Sequence, residues 1–561
     1  MAGDRTVTAI TWSDGRPRSE RYDDTYYSAA GGLDEARTVF LEANRIAERL
    51  RSSQSLVVGE LGFGTGLNFL ATWQLWRELK SETRLTFIST EAHLLGVEDV
   101  ARAHEAFPEL AEFATLLQAR WPTGEGFHLL EFDGARVRLL LLVGDALAML
   151  KECDAHVHAW YLDGFSPATN PAMWSLEVFT ELARLSEPGT TLGTWCAAGH
   201  VRRALATAGF EVKRVPGHGK KRHRTVGELR TPQISLLAPW LRWPAARQGP
   251  VLILGAGLAG CSLAAALARR GREVCVCDPD GIAAGASGNP IGLVQPTGPE
   301  KPWLQLGTRL IEQRDIGTPM DVQTPEGPAQ GRLVQPAELC RAMLPVPIVR
   351  VQPKQRFAAV IDCRGPATLG VPIKPVRGQL VFLAGRPPDA AWCGGHYLLP
   401  TPDGAVVGAT YHPHDTDLSY RLADEEAVLQ QLAEEAPAGC LDDLRPCGGR
   451  VGIRACTPDY LPALGPLPNP LEWQNAYAYA LRHGRPWQDL PPALWKTSRY
   501  VLTGLGSHGI ASSQLAAEVV AAHFCNEPQP IPRSQRLAVQ AARFLIRDLR
   551  RGRVSNQGAR R

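Results

Sequence analysis

The sequence predicts an α/β protein with two doubly wound nucleotide-binding folds in tandem, the second carrying an inserted β-rich substrate domain. Two glycine-rich loops of different grammar, Glu60-Leu-Gly62-Phe-Gly64-Thr-Gly66 and Gly255-Ala-Gly257-Leu-Ala-Gly260, each follow an apolar run and precede a helix-compatible segment. That is the strand, tight turn and helix N-terminus that ribose and anionic groups need. Around the first loop, apolar strands alternate with amphipathic helical segments, the rhythm of a mostly parallel sheet covered on both faces. Residues 317–420 are instead rich in proline, glycine and short β-like runs.

In order, residues 1–240 make the first predicted domain, with strands at Ser55–Gly59, Leu85–Ser89, Arg138–Val143, Ala159–Leu162 and Thr191–Cys196. Residues 241–249 fall in a proline-bearing stretch without periodicity and are read as the linker. Residues 250–561 open a second α/β pattern with Val251-Leu-Ile-Leu254, and the substrate subdomain at 317–420 contains the runs Gln379–Leu383 and Ala405–Gly408. The chain then returns to a strand at Tyr500–Thr503, a Gly504-Leu-Gly506-Ser-His-Gly509 turn, and a helix-compatible segment over Ser513–Ala522.

At 561 residues, 44% hydrophobic and 21% charged, the composition is that of a soluble multi-domain protein. No apolar stretch approaches the ~20 residues of a spanning helix, and no secretory pattern opens the chain, so no membrane association and a cytoplasmic location are expected. The 12 cysteines include no CxxC pair, and they read as small buried hydrophobes in a reducing compartment. No metal site is expected. A net charge of +3 neither requires nor excludes nucleic acid. The two basic clusters, Lys220 to Arg224 and Arg547 to Arg553 with Arg560 and Arg561, also fit solvated faces.

In the first loop, Glu60, Gly62, Gly64 and Gly66 are candidate cofactor contacts, and Glu91, closing the next strand, is placed to grip ribose hydroxyls. The loop lacks the Lys-Ser/Thr of a phosphate-binding motif, which favours a nucleoside-like ligand such as S-adenosylmethionine over a triphosphate. Asp145 and Asp163 follow later strands, whose carboxyl ends present ligands in open α/β sheets. Asp145 can accept a hydrogen bond from an adenine amino group. Asp163 can orient an amine nucleophile, or take its proton, in line with a sulfonium methyl. An aspartate in such a place also serves as a helix N-cap, and Phe165 and Trp174 can stack on a base or fill the core.

The strings GELGFGTGLNFL, WYLDGFSPATNPAMWS, VRRALATAGFEV and GHGKKR resemble the methyltransferase half of the MnmC family of bifunctional tRNA wobble-uridine modification proteins. The opening segment DGRPRSERYDDTYYSAAGGLDEARTVFLEANRIAERLR is similar to the start of that family.

In the second loop Gly255, Gly257 and Gly260 open a dinucleotide fold. Asp278 ends the following apolar run at the spacing that reaches a ribose 2′-hydroxyl, compatible with FAD or NAD and unfavourable to a 2′-phosphate. The distant Gly504–Gly509 turn favours FAD, because a second strand–helix junction can close over an isoalloxazine ring. The segments GASGNPIGLVQP, PIKPVRGQL, GGHYLLPTPDGAVVGATY, RACTPDYLPALGPLP and YVLTGLGSHG resemble, in the same order, the FAD-dependent half of the MnmC family, itself similar to glycine and D-amino-acid oxidases.

The resemblance implies a Rossmann-like S-adenosylmethionine-dependent methyltransferase domain fused to an FAD-binding Rossmann domain. It implies that Ser287, Gly288, Asn289, Gly504, Gly506 and Ser507 lie against the flavin cofactor. Oxidation of a carboxymethylaminomethyl group on the wobble uridine, with loss of glyoxylate, would precede methylation of the freed amine. Such an oxidation needs a grip on the substrate carboxylate, for which the planar fork of an arginine is suited. Arg454, in the stretch matching the family's substrate-facing loop, is the candidate, with Tyr397 adding a hydroxyl contact. Where the family's turn usually reads Gly-Leu-Gly-Ser-Arg-Gly this chain has His508, a weaker and pH-dependent positive charge. The chain is also shorter than the family between Pro296 and Val346. The implied partner is tRNA, met by a monomer at the anticodon loop, with Lys220, Lys221 and Arg222 holding phosphates. Two other assignments keep the same folds: an amine or amino-acid oxidase fused to a small-molecule methyltransferase, and a methyltransferase whose flavin half only helps to hold tRNA.

Overall fold

Five parallel strands form the middle of an eight-stranded sheet in the first half of the chain: β1 (Ser55–Leu61), β2 (Arg84–Glu91), β4 (Val137–Val143), β5 (Val157–Leu162) and β6 (Ser186–Thr194). Antiparallel β3 (Gly126–Phe132), β7 (Phe210–Pro216) and β8 (His223–Leu229) complete the order β7-β8-β6-β5-β1-β2-β4-β3. The central strands are near-continuous apolar runs because both faces are covered, and every residue of β4 is buried. The edge strand β7, FEVKRVP, buries only its first residue. Its charge is typical of a protected edge, and it removes the hydrophobic pattern by which the sequence would have announced a strand. The computed structural model describes residues 9–13, 15–27, 31–219, 221–231, 237–295 and 301–553, so Lys220, Arg560 and Arg561 lie outside the described residues.

The chain divides into one unit of Met1–Leu236 with Asn526–Ser534 and another of Leu237–Cys525 with Gln535–Arg561. The boundary falls just before the expected linker. The short C-terminal contribution to the first unit has no sequence signature. Its Glu527, nearly buried, bonds Arg84 at 3.1 Å and Arg138 at 3.0 Å, and the Gln529 backbone N–H donates to the Asp154 carbonyl at 2.9 Å. The core of this unit is aromatic: Phe69, Trp73, Phe87, Phe132 and Tyr161 pack together under helix α1 (Leu67–Glu78).

The second unit holds a six-stranded sheet of β9 (Val251–Leu254), β10 (Val274–Cys277), β11 (Ile348–Val349), β12 (Ala359–Asp362), β13 (Ala463–Pro468) and β14 (Trp495–Thr503), ordered β11-β10-β9-β12-β14-β13. Helices α2 (Leu258–Ala268) and α4 (Gly509–Phe524) are apolar on nearly all sides and pack on each other. Between them the buried Glu518 carboxylate takes Arg270 at 2.7 Å and Arg314 at 2.6 Å, an interior ionic cluster whose members compensate one another's desolvation. Two further helices, α3 (Pro470–His483) and α5 (Arg543–Arg550), share a separate apolar cluster with Trp240 and Leu241.

A nine-stranded sheet makes the substrate subdomain, and it is wider than the expected 317–420. Gly292–Val294 forms one edge and Leu444–Cys456 pairs along the whole of Lys374–Gly385. Within the expected span, Ile348–Val349 and Ala359–Asp362 belong to the nucleotide sheet instead. The chain thus passes between the two sheets, which composition averaged over a window does not resolve. All 12 cysteines are free thiols.

Candidate active sites

At the end of β1 the chain turns through Gly62, whose φ of +86° a side chain rarely adopts, and a Cβ there would overlap the carbonyl oxygen of Asp163. The Asp163 N–H donates back to the Leu61 carbonyl at 3.1 Å. The glycine loop and the Asp163 turn are therefore one backbone assembly. Asn68, in the first turn of α1, donates through its amide to Asp163 Oδ2 at 2.7 Å and to Glu60 Oε1 at 2.8 Å. Ser89 donates to the other Glu60 oxygen at 2.6 Å. Glu60 is 1% exposed, so it sits behind the loop with both oxygens engaged and supports Asn68. Its sequence position at the loop entrance suggested a direct cofactor contact, and in the structure both of its carboxylate oxygens accept from protein donors.

Burial pushes the Asp163 carboxyl up to about 7, and the charge of Glu35 adds to this, while the Asn68 bond, the Lys221 ammonium and a bond from Trp195 oppose it. A carboxyl that titrates near neutrality can accept a proton at working pH without being permanently saturated. Burial likewise holds Glu60 well above the usual carboxylate range, against the bonds from Ser89 and Asn68. Glu91, at the end of β2, closes over the loop. One oxygen accepts the Gly64 N–H and the other the His93 N–H, both at 2.9 Å, and burial raises its pKa.

Phe165 is flanked by rings from the opening segment, to which the sequence assigned no role. Tyr22 stacks on it at 4.9 Å and Tyr26 meets it edge-on at 5.1 Å, while Asp24 accepts the Ser166 N–H at 3.0 Å. The N-terminal antiparallel meander of Ile10–Ser13, Arg16–Ser19 and Asp24–Thr25 thereby walls one side of the site. Trp174 is core: 4% exposed, it donates its indole N–H to the Phe165 carbonyl at 2.8 Å. Asp145 caps the helix Ala146–Glu152, accepting the Ala148 N–H at 2.9 Å, the other role open to it. Lys221 turns toward the site. Its ammonium pairs with Glu35 at 2.8 Å and lies 4.2 Å from the centre of the Trp195 ring, and both Lys221 and Arg222 are exposed.

In the second unit the loop after β9 leaves no room at Gly260, where a Cβ would overlap the Gly255 carbonyl oxygen. Gly257 faces the Ser287 hydroxyl, which accepts the first N–H of α2 from Leu258 at 3.0 Å. Asp278 closes the turn, accepting the Ala256 N–H at 2.7 Å and the Asp280 N–H at 3.0 Å. A bare backbone at a helix N-terminus beside a carboxylate fits the diphosphate and ribose of FAD. Asn289 accepts from Arg450 at 3.1 Å, and Arg450 also donates to the Gly285 carbonyl at 2.7 Å, so an arginine that no motif marks holds the Ser287–Asn289 turn, with Gly288 packed beneath the guanidinium.

Arg454 lies on the strand Leu444–Cys456, its guanidinium across the bare backbone of Gly378, and donates to the Thr410 carbonyl at 3.1 Å. The Gly504–Gly509 turn is tied to that strand by the Gly506 N–H donating to the Ala455 carbonyl at 3.0 Å. Gly504 and Gly506 both hold positive φ, and Ser507 beside them is exposed. Tyr397 is close enough for the Arg454 charge to oppose the burial that pushes its phenol up to about 12. Arg454, Tyr397 and the turn are therefore brought together from three separate stretches of chain. His508 precedes α4, and both desolvation and the Lys301 charge hold its imidazole below the ordinary range. At neutral pH it is uncharged, so a fixed positive charge is lacking at that position. Among the described residues no group of three or more His, Cys, Asp or Glu is placed to hold a metal ion, and no helix is long and apolar enough to cross a membrane.

The comparisons with known proteins agree with this geometry. A family model described as S-adenosyl-L-methionine-dependent methyltransferase matches residues 108–230, and one described as FAD dependent oxidoreductase matches residues 250–325 and 329–523. The chain thus joins a methyltransferase to a flavin-dependent oxidoreductase. The tRNA 5-methylaminomethyl-2-thiouridine biosynthesis bifunctional protein MnmC of Pseudomonas aeruginosa is 36% identical, aligned over 97% of this chain and 98% of its own length. The protein of the same name from Pseudomonas entomophila is 34% identical over the same shares. The chain belongs to the MnmC family.

Proposed function

We propose that this protein modifies the wobble uridine of tRNA in two steps, oxidative removal of the carboxymethyl group from a 5-carboxymethylaminomethyl (2-thio)uridine and N-methylation of the aminomethyl group that results. The observation that carries the reading is the pairing of two glycine cradles with different reactive groups, a carboxyl tuned to about 7 beside the first and an arginine with a tyrosine beside the second.

When bound, FAD supplies a hydride acceptor for the carbon between the amine and the carboxylate, and S-adenosylmethionine supplies an electrophilic methyl group. Gly255, Gly257, Gly260, Asp278 and the Ser287–Asn289 turn would hold the flavin nucleotide. Arg454 grips the substrate carboxylate with two parallel N–H groups, and Tyr397, its phenol protonated at all working pH values, donates a further hydrogen bond. Loss of glyoxylate removes the group that Arg454 binds, so the product amine has no reason to remain there. In the first unit Gly62, Gly64, Gly66 and Glu91 would hold the methyl donor. Asp163 accepts the proton that an ammonium must shed before its nitrogen lone pair can attack, and Asn68 aims that carboxylate. The Lys221 ammonium, fixed by Glu35, keeps positive charge near the acceptor and so favours the neutral, nucleophilic amine. Arg222 lies at the surface nearby, suited to a phosphate.

Nucleoside mass analysis of hypomodified tRNA tests the reading. Without the methyl donor the aminomethyl uridine should accumulate, and with it the methylaminomethyl form. Persistence of the carboxymethyl form would sink the oxidase assignment.

A further inference from the structure

The C-terminal basic cluster lacks a role in either site, and its sequence fits a solvated helix face. The structure gives it a partner. The apolar side of α5, with Leu545, Ile546 and Leu549, is buried in one cluster with Trp473 and Tyr477 of α3. Packing those faces together leaves the two helix ends side by side: a Cβ on Gly552, just past α5, would lie 3.4 Å from the Arg482 guanidinium in the last turn of α3. The corner so formed exposes Arg482, His483, Arg485, Arg550, Arg551 and Arg553. Asp548, 3.7 Å from Arg547, is the one carboxylate between Arg543 and Arg553. In a chain of net charge +3 this is a steep local concentration of guanidinium. Both helix C-termini carry partial negative charge that stabilises the cations without neutralising them.

A second feature separates this corner from a merely solvated face. Tyr479 is 61% exposed, with the Arg485 guanidinium 4.7 Å from its ring centre and the His483 ring 4.6 Å away. An exposed ring held beside a guanidinium is a platform for an unstacked base, and guanidinium forks match phosphate.

We propose that the C-terminal ends of α3 and α5 form an RNA-docking surface that holds the phosphate backbone of the tRNA substrate and stacks one of its unpaired bases on Tyr479. This rests on tRNA being the substrate. The phosphates supply sequence-independent affinity, and the stacked base fixes position along the strand.

The test uses the full-length holoprotein and measures tRNA binding across a salt series. Charge reversal in the triple variant Arg482→Glu, Arg550→Glu, Arg551→Glu should weaken binding by at least ~10-fold at low salt and flatten the plot of log affinity against log salt by roughly 2 to 3, about one unit for each phosphate that the variant no longer neutralises. Tyr479→Ala should weaken binding by about 5- to 100-fold with the salt slope unchanged. Flavin content and S-adenosylmethionine binding should stay at wild-type levels in both variants, showing that the fold is intact. If wild-type protein binds tRNA and both variants bind it equally well, with the same slope, the docking surface is refuted. If wild-type protein itself does not bind tRNA, the substrate assignment fails and this surface fails with it.

Discussion

Replacing Asn68 with alanine separates the role of Asp163 as a proton acceptor from that of its scaffold. The Asn68 amide donates to Asp163 at 2.7 Å and lowers a pKa that burial has pushed up to about 7. A hydrogen bond to a charged group contributes about 1.5–3 kcal/mol, and one pKa unit corresponds to about 1.4 kcal/mol. Loss of the bond should therefore raise the Asp163 pKa by roughly 1 to 2 units. At pH 7 the ionised fraction falls from about one half to between roughly one tenth and one hundredth, so methyl transfer should slow by about 5- to 50-fold. The deficit should close as pH rises past about 9, because the carboxylate is then ionised in both proteins. The assay is single-turnover methyl transfer to aminomethyl-uridine tRNA over a pH series, which excludes product release from the measured rate. A loss of the same size at every pH would refute the reasoning, since Asn68 would then only maintain shape.

Four further outcomes are expected. Glu60 has a folded-state pKa well above its ordinary value of 4.5, so its contribution to stability is complete below that value and is lost as pH rises through the folded one. Thermal melts of Glu60→Gln should therefore gain on wild type from acid toward alkaline pH, and parallel melting curves would remove Glu60 as the titrating group. Gly260→Ala places a methyl group into the Gly255 carbonyl and should abolish flavin absorbance while methyl transfer persists; a variant that retains flavin would contradict the packing. Arg454→Lys exchanges a fork for a point charge and should raise KM for the carboxymethyl substrate by about 10- to 100-fold, and an unchanged KM in glyoxylate-release kinetics would remove its role. Because the His508 imidazole is held below its ordinary range, it is charged only in acid; His508→Arg should flatten the oxidase pH profile between acid and neutral, and an unaltered profile would show that charge at this position is immaterial.

Local chemistry along the chain determined much of this protein. Glycines that must sit at positive φ, apolar runs long enough for a strand, and a carboxylate at a strand end each declare themselves within a dozen residues, which is why both nucleotide loops, Glu91, Asp163 and Asp278 were legible. The MnmC motifs likewise pointed to Arg454 and the Gly504 turn. The edge strand β7 and its neighbour β8 were not legible, because most of their residues are exposed or half-buried and neither carries an apolar run. The substrate subdomain was legible in kind but not in extent, since its chain crosses back into the nucleotide sheet at Ile348–Val349 and Ala359–Asp362.

Tertiary structure alone decided who meets whom. Asn68 reaches Asp163 across 95 positions, Arg450 reaches Asn289 across 161, and Lys221 reaches Glu35 across 186. Packing likewise decided that Glu60 lies behind its loop, that Tyr22 and Tyr26 wall the site at Phe165, and that Arg482 and the end of α5 share one corner. Propensity and periodicity act over a few residues, whereas the environment that sets a pKa or aims a guanidinium is assembled by burying distant apolar faces against one another.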